Sequence, residues 1–352
     1  MEPTPDQIEN VLRRLYRAHP ERGVAPGGQL QIAGLTRITD GWETDVYAVT
    51  VRGERGATAE REPDALILRL YQGEGGAHKA EREFGAMHYL YHAGYPVPEV
   101  LLLEPSGDVL GKPFMVMERI AGRSMGAILA DSDNATRLRL LQCFCRLLCD
   151  LHALDWQDFA RNVAIHEQQD TRRIVSKALD SWQTRLRALS ADGFQPAFAW
   201  LRDRLPKVQF AAPSVVHMDY HPHNVLVRDD GRAFVIDWPN AAISDYRLDL
   251  AWTLVLMGCH GNPDVAHHVL QAYEQSSGHA VEQLAFFEVA ACLRRLISIV
   301  VSLRAGAEQL GMRPGAETMM KNVSHIENVY ALLRDRAAVS IRDVDDLLSS
   351  LR

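Results

Sequence analysis

Strand-like runs, short apolar-rich stretches bounded by turn signals, are crowded into the first third of this chain, and that uneven distribution constrains its fold most. Strand-like runs occur at 29–38, 45–52, 64–71, 98–104 and 113–120, with one helical stretch at 77–93 closed by Gly94. A further helix opens the chain, where Thr4-Pro5 supplies a cap and a first-turn proline ahead of Ile8, Val11, Leu12 and Leu15 on one face. The Gly/Pro-rich stretch Gly23–Gly28 and the charged stretch 53–63 read as loops. After Gly122 the character changes. Long amphipathic helices dominate 124–205, 247–308 and 314–336, and only the short runs 213–217, 224–228 and 232–237 look extended. Strands first and helices afterwards argue for an α+β fold rather than a βαβ alternation. A length of 352 residues suits two lobes. The expected division is a small β-rich N-terminal lobe over 1–119 and a larger, mostly helical C-terminal lobe over 120–352, a bilobal arrangement with a cleft between.

Composition narrows the function classes. With 47% hydrophobic and 24% charged residues, the chain can bury a sizeable core. A formal net charge of −7 argues against unspecific nucleic-acid binding, which needs a clustered excess of Lys and Arg. No apolar run approaches the roughly 20 residues of a membrane span, and the start of the chain lacks a basic-then-apolar leader. A soluble, cytoplasmic protein is expected. The five cysteines, Cys143, Cys145, Cys149, Cys259 and Cys292, lack paired spacing and read as buried thiols.

The richest chemistry lies in Val215-Val216-His217-Met218-Asp219-Tyr220-His221-Pro222-His223-Asn224, followed by Ile236-Asp237-Trp238. A short strand ends at His217, an irregular loop follows, and a hairpin returns with Asp237 at a strand end. Asp219, Asn224 and Asp237 therefore stand at neighbouring strand ends. Two carboxylates and an amide oxygen are hard ligands of the kind Mg²⁺ takes when phosphate oxygens complete its octahedron. Phosphoryl transfer uses the same parts, with a carboxylate that orients the acceptor hydroxyl and a metal held against the phosphates.

The spacing His217-x-Asp219-x-x-x-x-Asn224, then Asp237 and a later Asp249-Leu250-Ala251, resembles the aminoglycoside phosphotransferase and choline kinase branch of the protein-kinase-like enzymes. Further likeness lies in Ile67-Leu68-Arg69, Glu81-Arg82-Glu83, Val97-Pro98-Glu99-Val100, Gly111–Glu118 and Leu151–Trp156, so that it covers roughly residues 30–255. The resemblance implies an ATP- or GTP-dependent, Mg²⁺-requiring kinase that phosphorylates a hydroxyl of a small molecule, with the nucleotide between the lobes. It implies Asp219 as catalytic base or orienter, and Asn224 and Asp237 as Mg²⁺ ligands. Arg69 would meet the nucleotide phosphates, held by Glu83 with Glu81 as the rival partner. Backbone groups of Glu118 and Ile120 would bind adenine, Gly41 would lie in the phosphate-covering loop 39–45, and Asp249 would brace the catalytic loop.

Four departures from the family pattern stand out. Met218 and His223 occupy positions where the family has Gly, whose backbone reaches conformations other residues avoid. Arg69 stands where Lys is usual and offers a fork rather than a point charge. The loop 39–45 carries three acids and no GxGxxG. Three alternatives stay open. His217, Asp219, His221 and His223 offer a transition-metal set, although Pro222 interrupts the strand that would align them. The scaffold also serves protein kinases, but Asp237-Trp238-Pro239 replaces their Asp-Phe-Gly. The chain can equally be a nucleotide-binding module without catalysis. Phe286, Phe287, Met312, Met319, Met320 and Tyr330 read as core, with some lining an acceptor pocket. The acceptor, the choice of nucleotide and the oligomeric state lie beyond the sequence.

Overall fold

The structure is a computed structural model that describes residues 3–22, 30–38, 44–53, 64–73, 75–163, 170–260, 263–306 and 320–351. In chain order the elements are α1 (Pro5–Ala18), β1 (Leu30–Ile38), β2 (Asp45–Gly53), β3 (Asp64–Leu70), α2 (Gly76–His92), β4 (Val100–Glu104) and β5 (Phe114–Glu118). Then come β6 (Arg123–Ser124), α3 (Met125–Asp131), α4 (Asn134–His152), α5 (Trp156–Asn162), α6 (Thr171–Ala188) and α7 (Gln195–Arg204). The remainder is β7 (Ser214–Val216), β8 (Val225–Val227), β9 (Ala233–Val235), β10 (Ala242–Ser244), α8 (Tyr246–Gly258), α9 (Pro263–Ser277), α10 (Leu284–Ala305), α11 (Val323–Ala337) and α12 (Arg342–Leu351).

The chain forms two compact units, one of residues 1–122 and 226–239, the other of residues 123–225 and 240–352. Beside the expected division at 119/120, the first stretch runs to Gly122, and residues 226–239, most of the β8–β9 hairpin and the segment after it, belong with the first unit. The Val235 amide donates to the Pro96 carbonyl at 2.8 Å. A Cβ on Gly122 would lie 2.5 Å from the Val227 carbonyl oxygen, so only glycine admits the strand there.

In the first unit, five strands pair antiparallel in the order β1-β2-β3-β5-β4. Alternation decides which face each residue takes. Leu66, Leu68 and Leu70 of β3 join Tyr47, Val49 and Val116 in a core covered by Ile8, Val11, Leu12 and Leu15 of α1. α1 starts on a capping box: Thr4 Oγ1 accepts from the Gln7 amide and Gln7 Oε1 accepts from the Thr4 amide. The residues between those leucines, Ile67 and Arg69, take the opposite face.

In the second unit, α10 is buried on nearly every side and joins α6, α7, α8, α11 and α12 around one core, from Val175 and Leu179 to Leu333 and Val344. Phe286, Phe287, Met320 and Tyr330 lie in this core; Met312 and Met319 fall outside the described residues. β7 pairs with β10, a three-residue strand too short to show a period in the sequence. The helix expected to start at 314 is described from Val323 onward. All five cysteines are free thiols, and burial pushes those of Cys145 and Cys149 up to about 12. Among the described residues no helix is long and apolar enough to cross a membrane.

Candidate active site

The first unit gathers Arg69, Glu83 and Asp237. Arg69, near the end of β3, is buried. Its guanidinium lies 3.1 Å from Glu83 Oε1 and 2.9 Å from Asp237 Oδ1. Glu83 is fully buried on α2, where it also accepts from the Tyr71 hydroxyl at 2.7 Å and the Trp238 amide at 3.3 Å. Glu81, two residues away on the helix, is exposed, so the partner of Arg69 is Glu83. Burial works against the charge of Arg69, but the two carboxylates outweigh it and hold the guanidinium firmly protonated. Burial and the Glu83 carboxylate push the Tyr71 hydroxyl well up, so it remains a donor. Asp237 sits at the end of the hairpin with φ 69°, a left-handed backbone that L-residues rarely adopt. Trp238 anchors the turn, fully buried, with its indole N–H on the Val235 carbonyl and its ring edge-on to Tyr95.

Two other predicted nucleotide-site residues lie in this unit. The Glu118 amide donates to the Glu99 carbonyl at 2.8 Å, and Ile120, two residues on, is buried. Gly41 lies outside the described residues. Of the acids in its loop, Asp45 is described, and Arg37 at 2.8 Å and Lys112 at 3.3 Å hold its carboxyl below the usual range despite burial.

The second unit holds Asp219 and Asn224 in one loop after β7. Asn224 is buried and donates from Nδ2 to the Asp219 carbonyl at 3.0 Å, which leaves its side-chain oxygen as an acceptor. Asp249, fully buried in the first turn of α8, braces the loop: its two oxygens accept from the His217 and Met218 amides, each at 2.7 Å. Burial raises its pKa, while His152 and the His217 amide outweigh burial and hold the carboxyl below its ordinary value. Met218, in place of the family's glycine, has φ 64°. This strained conformation, which costs about 1–2 kcal/mol, is fixed from both sides, by Asp249 on its amide and by Arg294, which donates to its carbonyl at 2.7 Å. His223, the other replacement, needs no such backbone. It sits in a single 3₁₀ turn, and its ring lies over α3, where a Cβ on Gly126 would be 2.6 Å away.

Sequence reasoning missed Trp252. Its indole N–H donates to Asp219 Oδ1 at 2.9 Å, and the Arg294 guanidinium stacks 3.9 Å from its ring centre. The available signal was its place three residues after Asp249 on the same helix face. His217 is buried and its Nδ1 accepts from the Asp219 amide at 3.2 Å, whereas His221 Nε2 is 3.9 Å from Asp219 Oδ2. Among the described residues no group of three His, Cys, Asp or Glu side chains is placed to hold a metal ion, so the four-residue transition-metal set does not assemble.

Beside this loop, within the same unit, is a cavity of about 360 Å³, the size of a small-molecule site. Met218, Trp252 and Arg294 form one wall, and α6 supplies another through Ile174, Ala178 and Trp182. The core residues expected to contribute, Phe286, Phe287, Met320 and Tyr330, are not among its lining.

The model of the phosphotransferase enzyme family, APH, matches residues 34–287. Acyl-CoA dehydrogenase family member 10 of Mus musculus is 27% identical over 254 residues, 70% of this chain but 22% of that protein. Among solved structures, a putative aminoglycoside phosphotransferase from Ralstonia eutropha superposes with a TM-score of 0.65 at 16% identity, covering 97% of this chain and 98% of that one. The GDP and kanamycin complex of an APH(2″) protein gives 0.60 at 14% identity over 94% and 99%. The ethanolamine kinase of Plasmodium vivax gives 0.57 at 11% over 91% and 83%. These likenesses establish an α+β, protein-kinase-like fold.

Proposed function

This chain belongs to the phosphotransferase enzyme family, and on that premise we propose that it transfers the γ-phosphoryl group of ATP or GTP to a hydroxyl of a small molecule. The observation that carries the reading is the setting of Asp219. It is a half-exposed carboxylate whose Oδ1 is oriented by the Trp252 indole at 2.9 Å, in a loop whose two preceding amides are tied to Asp249. A carboxylate so fixed can accept the proton of an alcohol and keep its oxygen aligned for attack, which is positioning rather than covalent catalysis. The nucleotide assignment draws on a similar protein solved with GDP, and the alcohol acceptor draws on the role the family gives to Asp219.

Asn224 and Asp237 are the residues we assign to Mg²⁺. Their oxygens are the hard donors that ion takes, and Asn224 directs its amide nitrogen at the Asp219 carbonyl so that its oxygen is the atom offered. Bound Mg²⁺ would neutralise charge on the phosphates. Arg69, kept protonated by Glu83, adds a fixed positive charge for the same phosphates. Glu118 and Ile120 are assigned to adenine through their backbone, and Gly41 to the loop over the phosphates.

Replacement of Asp219 tests the reading. With Mg²⁺ and labelled ATP or GTP against a panel of alcohols, Asp219→Asn should lower transfer by about 10²–10⁴. Nucleotide affinity measured by calorimetry should stay within about twofold. Full turnover in the variant would remove Asp219 from the reaction. Nucleotide binding by the natural chain without transfer to any alcohol would favour the non-catalytic module.

A further inference from the structure

The cavity beside Asp219 has a chemistry of its own. Its walls are largely apolar: Ile174, Val175, Trp182, Leu248, Trp252 and Ala291. The charged residues among its lining are both basic. Lys177 stands exposed on α6, and Arg294 covers the Trp252 ring and donates to the Met218 carbonyl. A second guanidinium, Arg295, lies close behind, donating to His325 Nε2 and close enough to feel the Asp219 charge. No carboxylate is among the described lining residues. Ser244 also faces the cavity. Its Oγ is buried and has no hydrogen-bond partner among the described residues. A buried hydroxyl in that state is destabilising, a loss that a polar atom of a ligand would recover.

Resting on the kinase reading, we propose that this cavity holds the acceptor, and that the acceptor is an alcohol built on an apolar skeleton carrying one anionic group, rather than a polycationic amino sugar or a choline-like ammonium. Three features select for it. An apolar wall gains from burying hydrocarbon in proportion to the area removed from water. An ammonium group entering the cavity loses its water and meets the Arg294 guanidinium and the Lys177 ammonium with no lining carboxylate to pair with, a large penalty. An anion at the mouth meets Lys177, while the hydroxyl at the other end reaches Asp219 beside Trp252. The net charge of −7 is spread over 352 residues and localises no pocket, whereas the charged lining of this cavity is basic. In the reaction the alcohol oxygen bonds to the γ-phosphorus, the bond from that phosphorus to the bridging oxygen breaks, the nucleoside diphosphate leaves, and the alcohol proton passes to Asp219.

The test uses the full chain and three probes: 10-hydroxydecanoate, the neutral decane-1,10-diol, and kanamycin. Titration calorimetry without nucleotide reads the cavity alone. The hydroxy acid should bind about tenfold or more tightly than kanamycin. Lys177→Glu should weaken the hydroxy acid severalfold and leave the diol nearly unchanged. Ser244→Ala should fold normally and weaken both. Ala291→Trp fills the cavity and should abolish binding; because a buried tryptophan can also disturb α10, Ala178→Leu on α6 serves as the milder block. Kanamycin binding as tight as the hydroxy acid, no hydroxy-acid binding up to millimolar concentrations, or binding indifferent to both blocking variants overturns the proposal. A second assay with Mg²⁺–ATP or Mg²⁺–GTP looks for the phosphate ester of the hydroxy acid. Selective binding without any ester, with nucleotide also unbound, contradicts the kinase reading and leaves the chemistry of the cavity standing.

Discussion

The first unit surrounds Arg69 with opposite charge, and the second surrounds Asp219 mostly with neutral donors. Arg69 is buried, touches Glu83 and Asp237, and Glu83 in turn is saturated by Tyr71 and the Trp238 amide. Asp219 is half-exposed, and what orients it is an indole N–H, a strained neighbouring peptide and a buried carboxylate one step back. The contrast has a physical basis. A buried charge must be paired because its desolvation costs several kcal/mol. A carboxylate that has to take a proton in each turnover is better fixed by neutral donors, which set its direction without a permanent cationic partner.

Four expected effects sharpen or break this comparison. The largest effect is expected at Glu83. Glu83→Ala leaves Arg69 buried against one carboxylate and should cost about 3–5 kcal/mol in denaturant unfolding, whereas Glu81→Ala should stay within about 0.5 kcal/mol. Equal effects would show that burial of Glu83 carries no electrostatic weight. Asp249→Ala comes next, because it strands the amides of His217 and Met218 inside the second unit. A loss of about 2–4 kcal/mol is expected, together with a sharp fall in transfer; intact transfer would mean that the loop holds its shape unaided.

The third effect is pH-dependent and belongs to the second unit. His325 is buried, its Nδ1 faces the Cys259 carbonyl and its Nε2 accepts from Arg295. Burial, then the neighbouring Arg295 and His260, lower its pKa to about 3. In the unfolded chain a histidine titrates near 6.5. Between those values the unfolded chain binds a proton that the folded chain refuses. Its contribution is therefore complete above about pH 6.5 and is lost as pH falls, at up to about 1.4 kcal/mol per pH unit. Unfolding followed from pH 7.5 to 5 should show this slope, and His325→Gln should flatten it. An unchanged slope would assign it to other groups. The smallest change is Trp252→Phe, which keeps the ring and deletes the donor. Stability should move by about 1 kcal/mol or less, while kcat falls about tenfold and nucleotide affinity holds. Unaltered kcat would break the contrast drawn here, since Asp219 would then need no neutral donor.

The extended runs and helices around the site were legible in the sequence because each is a local pattern. The period of β3 placed Leu68 and Leu70 opposite Arg69, and the structure has those leucines in the core under α1. Met218 in a glycine position signalled an unusual backbone, and its φ of 64° is one; the same inference failed at His223, whose turn any residue can form. The role of Trp252 and the fit of His223 over Gly126 were not legible, since they join residues many positions apart.

By itself, then, the sequence determined the order and type of the longer elements, through side-chain periodicity and caps, and the His217–Asp237 spacing that marks the family. Tertiary structure alone decided that Glu83 rather than Glu81 meets Arg69, that the 226–239 hairpin joins the first unit, and that the cavity beside Asp219 is apolar and basic in a chain of net negative charge. The reason is one of range. Periodicity and capping act within a turn or two of chain, whereas partners, burial and local charge are set by packing between segments that the sequence keeps far apart.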